Sequence, residues 1–239
     1  MAASDIYGPE SPLRETVSYK SILHGVVYRM RMDPEFNLPV NLANAINEYI
    51  NTAARYAWDY YPWPDLMVIV KADTDNFTLP GDVFGIYAQD PTLVGSTSQV
   101  PIPFRDVGAG IVLGKKYDQI WAEYRRPFLR YEGATWAAGT YTQNTKVYYE
   151  AEGDYYMALE TTSQTPGSHS DWGKIAFPAI LAEYTKAAAT AEGLREVGQY
   201  EQAEVQKRDA AALLTQKIDK LELQSNQQRT YGAVLPARR

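Results

Sequence analysis

The sequence predicts an α+β fold. Helices from the two ends of the chain make one core, and β structure is inserted between them. Three observations carry this expectation. Apolar residues recur at helical spacing from Ser18 to Met32 and again from Asn41 to Ala57. The period then shifts toward two between Leu66 and Arg130, and short apolar runs bounded by turn residues fill Trp136 to Trp172. From Ala176 the helical spacing returns and holds almost to the end. The organisation that follows is a helical core from residues 1–66 with 176–228, a β-hairpin region at 67–133, a small antiparallel β module at 134–175, and a C-terminal arm at 229–239.

Gly8-Pro9 and Ser11-Pro12 interrupt regular structure near the start. In the first helix, Tyr19, Ile22, Leu23, Val26, Val27 and Met30 form the apolar face, and Asp33-Pro34 ends it. In the second, Asn41 is the expected N-cap. Leu42, Ile46, Tyr49, Ile50, Ala53 and Ala57 trace the buried face, with Asn47, Asn51 and Arg55 on the polar one. The chain then enters Trp58-Asp59-Tyr60-Tyr61-Pro62-Trp63-Pro64, where the prolines forbid further helix. This aromatic corner reads as a packing plug.

Strands are expected at Leu66–Val70, Val83–Ala88, Gly108–Leu113 and Gln119–Arg125. Pro101 and Pro103 point to an edge or loop, and Gly95–Arg105 carries so few core residues that it reads as an exposed arm. Beyond the Tyr-rich module, Pro178 suits a first helical turn. Ile180, Leu181, Tyr184, Ala187, Ala188, Ala191, Leu194 and Val197 follow at helical spacing until Gly198, a C′ glycine. A second helix, from about Tyr200 to Gln228, has the stripe Ala203, Ala210, Leu214, Ile218 and Leu221. The pair is expected to form an antiparallel hairpin.

Composition narrows the function. At 239 residues the chain holds one large domain or two small ones. The net charge of −6 lacks the basic excess of a nucleic-acid binder, although Arg125-Arg126 and the C-terminus are locally basic. The absence of cysteine excludes disulfides, thiolate zinc sites and a cysteine nucleophile. No basic n-region and apolar h-region open the chain, and no apolar run reaches ~18 residues, so neither a signal peptide nor a membrane span is expected. The 19 tyrosines stand out, because Tyr has an apolar body and a polar tip and suits interfaces.

The search for chemistry finds no catalytic set. His24 lies in an apolar helical stretch and His169 in a Ser/Gly loop, without a histidine-pair metal motif. Gly108-Ala-Gly110-Ile-Val-Leu-Gly114-Lys115-Lys116 misses both phosphate-loop spacings and reads as hairpin glycines. Asp73-Thr-Asp75-Asn76 is interrupted as a calcium loop by Phe77 and Leu79. Glu123 has no acidic partner in its strand. The protein is therefore expected to be no enzyme, with no cofactor and no metal.

Two resemblances bear on function. Trp136-Ala-Ala-Gly139-Thr-Tyr141, Val147-Tyr148-Tyr149, Gly153-Asp154-Tyr155-Tyr156-Met157-Ala158, Pro166-Gly167 and Asp171-Trp172 together resemble the small chitin-binding type of carbohydrate-binding module. The family places exposed aromatics just after its last tyrosine strand, where this chain has Leu159-Glu160-Thr161-Thr162. Trp136, Tyr148, Tyr156 and Trp172 are expected in the module core. Alternation leaves Tyr141, Tyr149 and Tyr155 as the candidates for an exposed face that contacts a glycan or a partner.

The overall plan resembles the head–tail connector (adaptor or neck) proteins of tailed bacteriophages. INEYINTAARYAWDYYPWPDL, VFGIYAQDP, QIWAEYRRP and FPAILAEYTKAAATAEGLREVGQYEQAEVQKRDAAALL carry that resemblance. It implies a virion protein, assembled in the host cytoplasm and located at the head–tail interface. Its copies form a ring, commonly a dodecamer, between the portal protein and a downstream tail or nozzle protein, and genomic DNA passes through without specific binding. It also implies that the arm, with Arg229, Tyr231, Leu235, Arg238 and Arg239, docks on the portal. An acidic ring repels passing DNA, which suits a conduit. The alternative is a carbohydrate-binding adhesion protein that uses the Tyr-rich module.

Overall fold

The computed structural model describes residues 4–5, 13, 15–32, 39–72, 82–92, 101–106 and 110–232. It has an α+β fold. Strands are β1 (Ser4–Asp5), β2 (Thr16–Val17), β3 (Met67–Ala72), β4 (Val83–Tyr87), β5 (Phe104–Asp106), β6 (Ile111–Leu113), β7 (Ile120–Arg125), β8 (Ala134–Thr135), β9 (Lys146–Tyr149), β10 (Asp154–Ala158), β11 (Trp172–Ile175) and β12 (Phe177–Pro178). Helices are α1 (Tyr19–Arg29), α2 (Val40–Tyr60), α3 (Ala179–Glu196) and α4 (Tyr200–Gly232). Two compact units result. One holds Leu13–Tyr61 and Arg130–Arg239, with β1; the other holds Pro62–Leu129.

In the first unit, α3 is the central helix and packs on α1, α2 and α4. Its burial explains its composition. Leu181, Ala182, Thr185, Ala187, Ala189, Thr190, Ala191, Gly193 and Leu194 are all buried, so nearly every side of the helix faces protein. Small residues let three neighbours approach it. The α3–α4 turn is a Schellman motif. Gly198 adopts φ +78, its N–H reaches the Arg195 carbonyl at 3.0 Å, and Gln199 N–H reaches the Leu194 carbonyl at 2.8 Å.

The α2 helix begins at Val40, with Pro39 in the cap position and no side-chain cap, rather than at Asn41. Proline has no side-chain acceptor, so the first turn of α2 carries no side-chain cap. Asn51, expected on the polar face, is 3% exposed. Its amide donates to the Tyr131 carbonyl at 3.0 Å, and its Oδ1 accepts the Tyr131 N–H at 2.8 Å. Asn51 thus fixes the strand-like backbone of the returning chain, and its burial is offset by two hydrogen bonds.

The Tyr-rich segment forms a five-stranded sheet in the order β1-β11-β10-β9-β8. The central pairs β9–β10 and β10–β11 are antiparallel, as the alternation predicts, whereas the edge pairs β1–β11 and β8–β9 are parallel. Sequence placed this module apart from the helices, but the chain uses it as a layer of the same unit. Asp154, at the start of β10, is 2% exposed. Its Oδ1 accepts the first N–H of α1, from Tyr19, at 2.7 Å, and its Oδ2 pairs with Lys174 Nζ at 2.6 Å. A carboxylate at a helix N-terminus meets unsatisfied donors and the positive end of the dipole. Beside it, Gly153 adopts φ +70, its carbonyl accepts the Lys20 N–H at 2.8 Å, and a Cβ there would lie 2.6 Å from Lys20 Cβ. Only glycine suits this joint.

In the second unit, β3-β7-β4 form an antiparallel sheet and β5-β6 a separate ribbon. β3, β4 and β7 fall where the sequence placed strands, β6 covers only Ile111–Leu113 of the expected Gly108–Leu113, and β5 lies at the end of the stretch read as an arm. Ile102 does not belong to an exposed arm. It is 8% exposed, donates to the Ile86 carbonyl at 2.6 Å, and packs with Ile86, Ile111 and Ile120. Residues 93–100 lie outside the described residues.

Candidate interaction site

The tyrosines of the first unit divide into a closed group and an open one. The closed group lies where β10 meets α1. Tyr19 stacks on Tyr131 at 5.5 Å and meets Tyr155 edge-on at 4.9 Å, and Tyr131 stacks on Phe177 at 5.2 Å. Tyr155 is 8% exposed, not on an open face as alternation predicted. The rule presumes one solvated side, but β10 is covered on both. Tyr155 and Tyr148 face α1, whereas Tyr156, Ala158, Val147 and Trp172 form the module core on the opposite side. Burial pushes the Tyr155 hydroxyl up to about 12, and it raises Tyr19 and Tyr156 above the ordinary tyrosine range as well. A hydrogen bond to Glu152 adds to the shift at Tyr156.

Tyr141 and Tyr149 pack against that core. Tyr141 lies edge-on to Trp172 at 5.5 Å, and its hydroxyl donates to the Ala137 carbonyl at 2.7 Å. Tyr149 lies edge-on to Trp136 at 5.7 Å. Trp172 itself is fully buried, with Nε1 donating to the Gln164 carbonyl at 2.9 Å. The three tyrosines expected on one face therefore lie on two sides of the sheet, and their rings are engaged in packing rather than set as one flat platform.

The open group was not found in the sequence. Tyr56 and Tyr60, at i and i+4 on α2, are 54% and 53% exposed. Their ring centroids are 5.5 Å apart, and Tyr56 stacks on Tyr184 of α3 at 6.2 Å. These rings wall one side of a hollow of about 390 Å³. Its floor is Ala188 and Ala191 of α3, with Glu192 at the rim, and its other wall is Lys207, Ala210, Ala211 and Leu214 of α4. Burial, with the neighbouring tyrosines, raises the Tyr184 hydroxyl to about 12. The arrangement offers aromatic faces, a small-residue floor and one charge of each sign. It suits an inserted chain segment better than a reaction. The spacing of Tyr56 and Tyr60 was the available signal, but the proline corner that follows drew Tyr60 into a packing role.

The hollow exists because α4 is a narrow ridge on α3. Ala203, Ala210 and Leu214 are buried, Ile218 and Leu221 are half-buried, and Leu223 is 63% exposed. A second hollow, of about 430 Å³, flanks the other side of the ridge between Arg29 and Asp209, Leu213 and Gln216. The helix spans ~50 Å, against ~27 Å for α3, at about 1.5 Å per residue. It therefore outruns its partner. It also runs four residues past Gln228, to Gly232, so Arg229 and Tyr231 lie within the helix rather than in an irregular arm. No helix breaker precedes Gly232 in that stretch. Leu235, Arg238 and Arg239 lie outside the described residues.

The remaining candidates are scattered. His24 is half-buried on α1, His169 is exposed in the loop before β11, and Glu123 of β7 accepts a hydrogen bond from the Tyr87 hydroxyl at 2.9 Å. The glycine-rich run falls at the β5–β6 ribbon, with Gly108 and Ala109 outside the described residues, as is Asp73–Asn76. Among the described residues no group of acidic or histidine side chains is placed to hold a metal ion, and no helix is long and apolar enough to cross a membrane. No protein-family model matches the chain, nor does any curated protein.

Proposed function

We propose that the protein is a virion structural subunit, a head–tail connector whose copies assemble into a ring between the capsid portal and the tail. The observation that carries this reading is the length of α4, which at 33 residues outruns the 18-residue α3 it packs on. The union of N- and C-terminal helices in one unit, with β structure between them, agrees with the plan that the resemblance implies. In this reading portal contact falls to the end of α4 and the residues after it, the ring is built by contacts between copies, and genomic DNA passes through without specific binding. The function needs no cofactor and no turnover.

The test is imaging by negative stain of the purified chain, alone and mixed with portal rings. Closed rings, or density added beneath the portal, support the reading. A chain that neither closes into rings nor joins the portal overturns it.

A further inference from the structure

The hollow between α2, α3 and α4 has the features a short apolar and basic segment needs, and the chain carries one. Residues 233–239 read Ala-Val-Leu-Pro-Ala-Arg-Arg. The alanine floor leaves room for a Leu or Val side chain. The faces of Tyr56, Tyr60 and Tyr184 suit proline rings and guanidinium groups, which stack on aromatic surfaces. Glu192, half-exposed at the rim, already holds Arg195 at 3.1 Å and has carboxylate lone pairs left for a second arginine. A volume of about 390 Å³ holds a few side chains, not a folded domain.

The same helix that walls the hollow keeps the apolar part of its own tail, Val234 to Pro236, from entering. Thr215 is the lining residue nearest the end of α4, and Gly232 lies ~25 Å beyond it along an intact helix. Leu235 extends at most ~10 Å past Gly232. It falls short of its own hollow by ~15 Å. A Leu side chain on the alanine floor therefore has to be supplied by another molecule, and a second copy carries the segment.

We propose that residues 233–239 of one copy dock in the α2–α3–α4 hollow of a second copy. Such a contact is head-to-tail, so it closes into a ring where the rotation permits and grows into a filament where it does not. The inference rests on the self-assembly in the reading above. It narrows the role of the tail, which turns to a neighbour, while the projecting helix remains for the portal.

The experiment uses the full chain and sedimentation velocity at micromolar concentrations. Ala211→Trp fills the hollow from an exposed position, and Leu235→Asp spoils the docking segment. Each variant is expected to weaken self-association at least tenfold. Mixed together, they are expected to stop at a two-chain complex, because one keeps a working tail and the other a working hollow. Tyr56→Ala serves as a second hollow variant if the tryptophan disturbs folding. The proposal is overturned if the parent chain stays monomeric, if either site's variants associate like the parent, or if the mixture does not pair. Filaments instead of rings would sustain the docking and count against the connector. Portal binding that needs residues 233–239 while self-association does not would overturn the docking and leave the connector standing.

Discussion

Tyr155 and Tyr56 are the same residue type in the same unit, yet one is sealed and the other is half in water. Tyr155 sits on a strand covered on both faces, and its ring meets Tyr19, Tyr131 and Tyr148. Tyr56 sits on a helix edge, and its ring meets only Tyr60 and Tyr184 among the aromatic contacts of the described residues. The difference comes from what lies over them. A whole helix, α1, closes the first group, whereas the ridge of α4 stops short of closing the second. The high tyrosine content therefore serves two purposes. It makes an internal seam between sheet and helix, and it lines a hollow that remains available.

The comparison can be broken from either side. Tyr155→Ala should produce the largest effect, a loss of about 4 kcal/mol, because truncation of a buried aromatic leaves a cavity. Urea unfolding followed by tryptophan fluorescence measures it, and a loss under ~1 kcal/mol would show that the seam is not packed as described. Asp154→Ala should cost about 3 kcal/mol by removing the acceptor at the start of α1 and leaving Lys174 only its longer contact with Glu152, at 3.8 Å. The same titration reads it, with Lys174→Met in the same background expected to recover part of the loss.

Alkali tests the seam by titration. The folded state holds the Tyr155 hydroxyl at about 12, above the ~10 of an unfolded tyrosine. A raised folded value favours the protonated folded protein. The contribution is complete below pH ~10 and disappears as pH rises through 12, on the order of 2 kcal/mol from Tyr155 alone. The other tyrosines absorb in the same band, so the Tyr155 share is the difference between the parent and Tyr155→Phe, and it should appear together with the loss of circular dichroism. A Tyr155 share present in a fully folded chain at pH 11 would contradict the burial. The smallest effect is expected at Tyr56→Ala, within about 0.5 kcal/mol of the parent, as befits an exposed ring. A large loss there would mean that the hollow is part of the core.

The elements were legible because each carries its own period. The strand at Ile120–Arg125 and the helical hairpin broken at Gly198 follow from local pattern and turn chemistry alone. What was not legible depends on partners distant in the chain. Asn51 looks solvent-facing until Tyr131 arrives to occupy its amide. Tyr155 looks exposed until α1 covers β10. Ile102 sits between two prolines and shows its core role only beside Ile86 and Ile120. The hollow draws its walls from three helices, so no single stretch announces it. Only the tail chemistry, Ala-Val-Leu-Pro-Ala-Arg-Arg, was visible from the start.

The clamp between Asp154 and the first turn of α1 also sets an order of events during synthesis. Its two partners are 135 positions apart in sequence. The first helix leaves the ribosome long before the strand that anchors its N-terminus, and α3, the helix that α1 and α2 share, comes later still. Nearly all of the second unit is the unbroken stretch Pro62–Leu129, which can fold while the nascent helices ahead of it wait. During that interval the apolar faces of α1 and α2 have no permanent cover. Conditions that slow translation through residues 130–180 should lengthen the exposure and make the growing chain more dependent on chaperones.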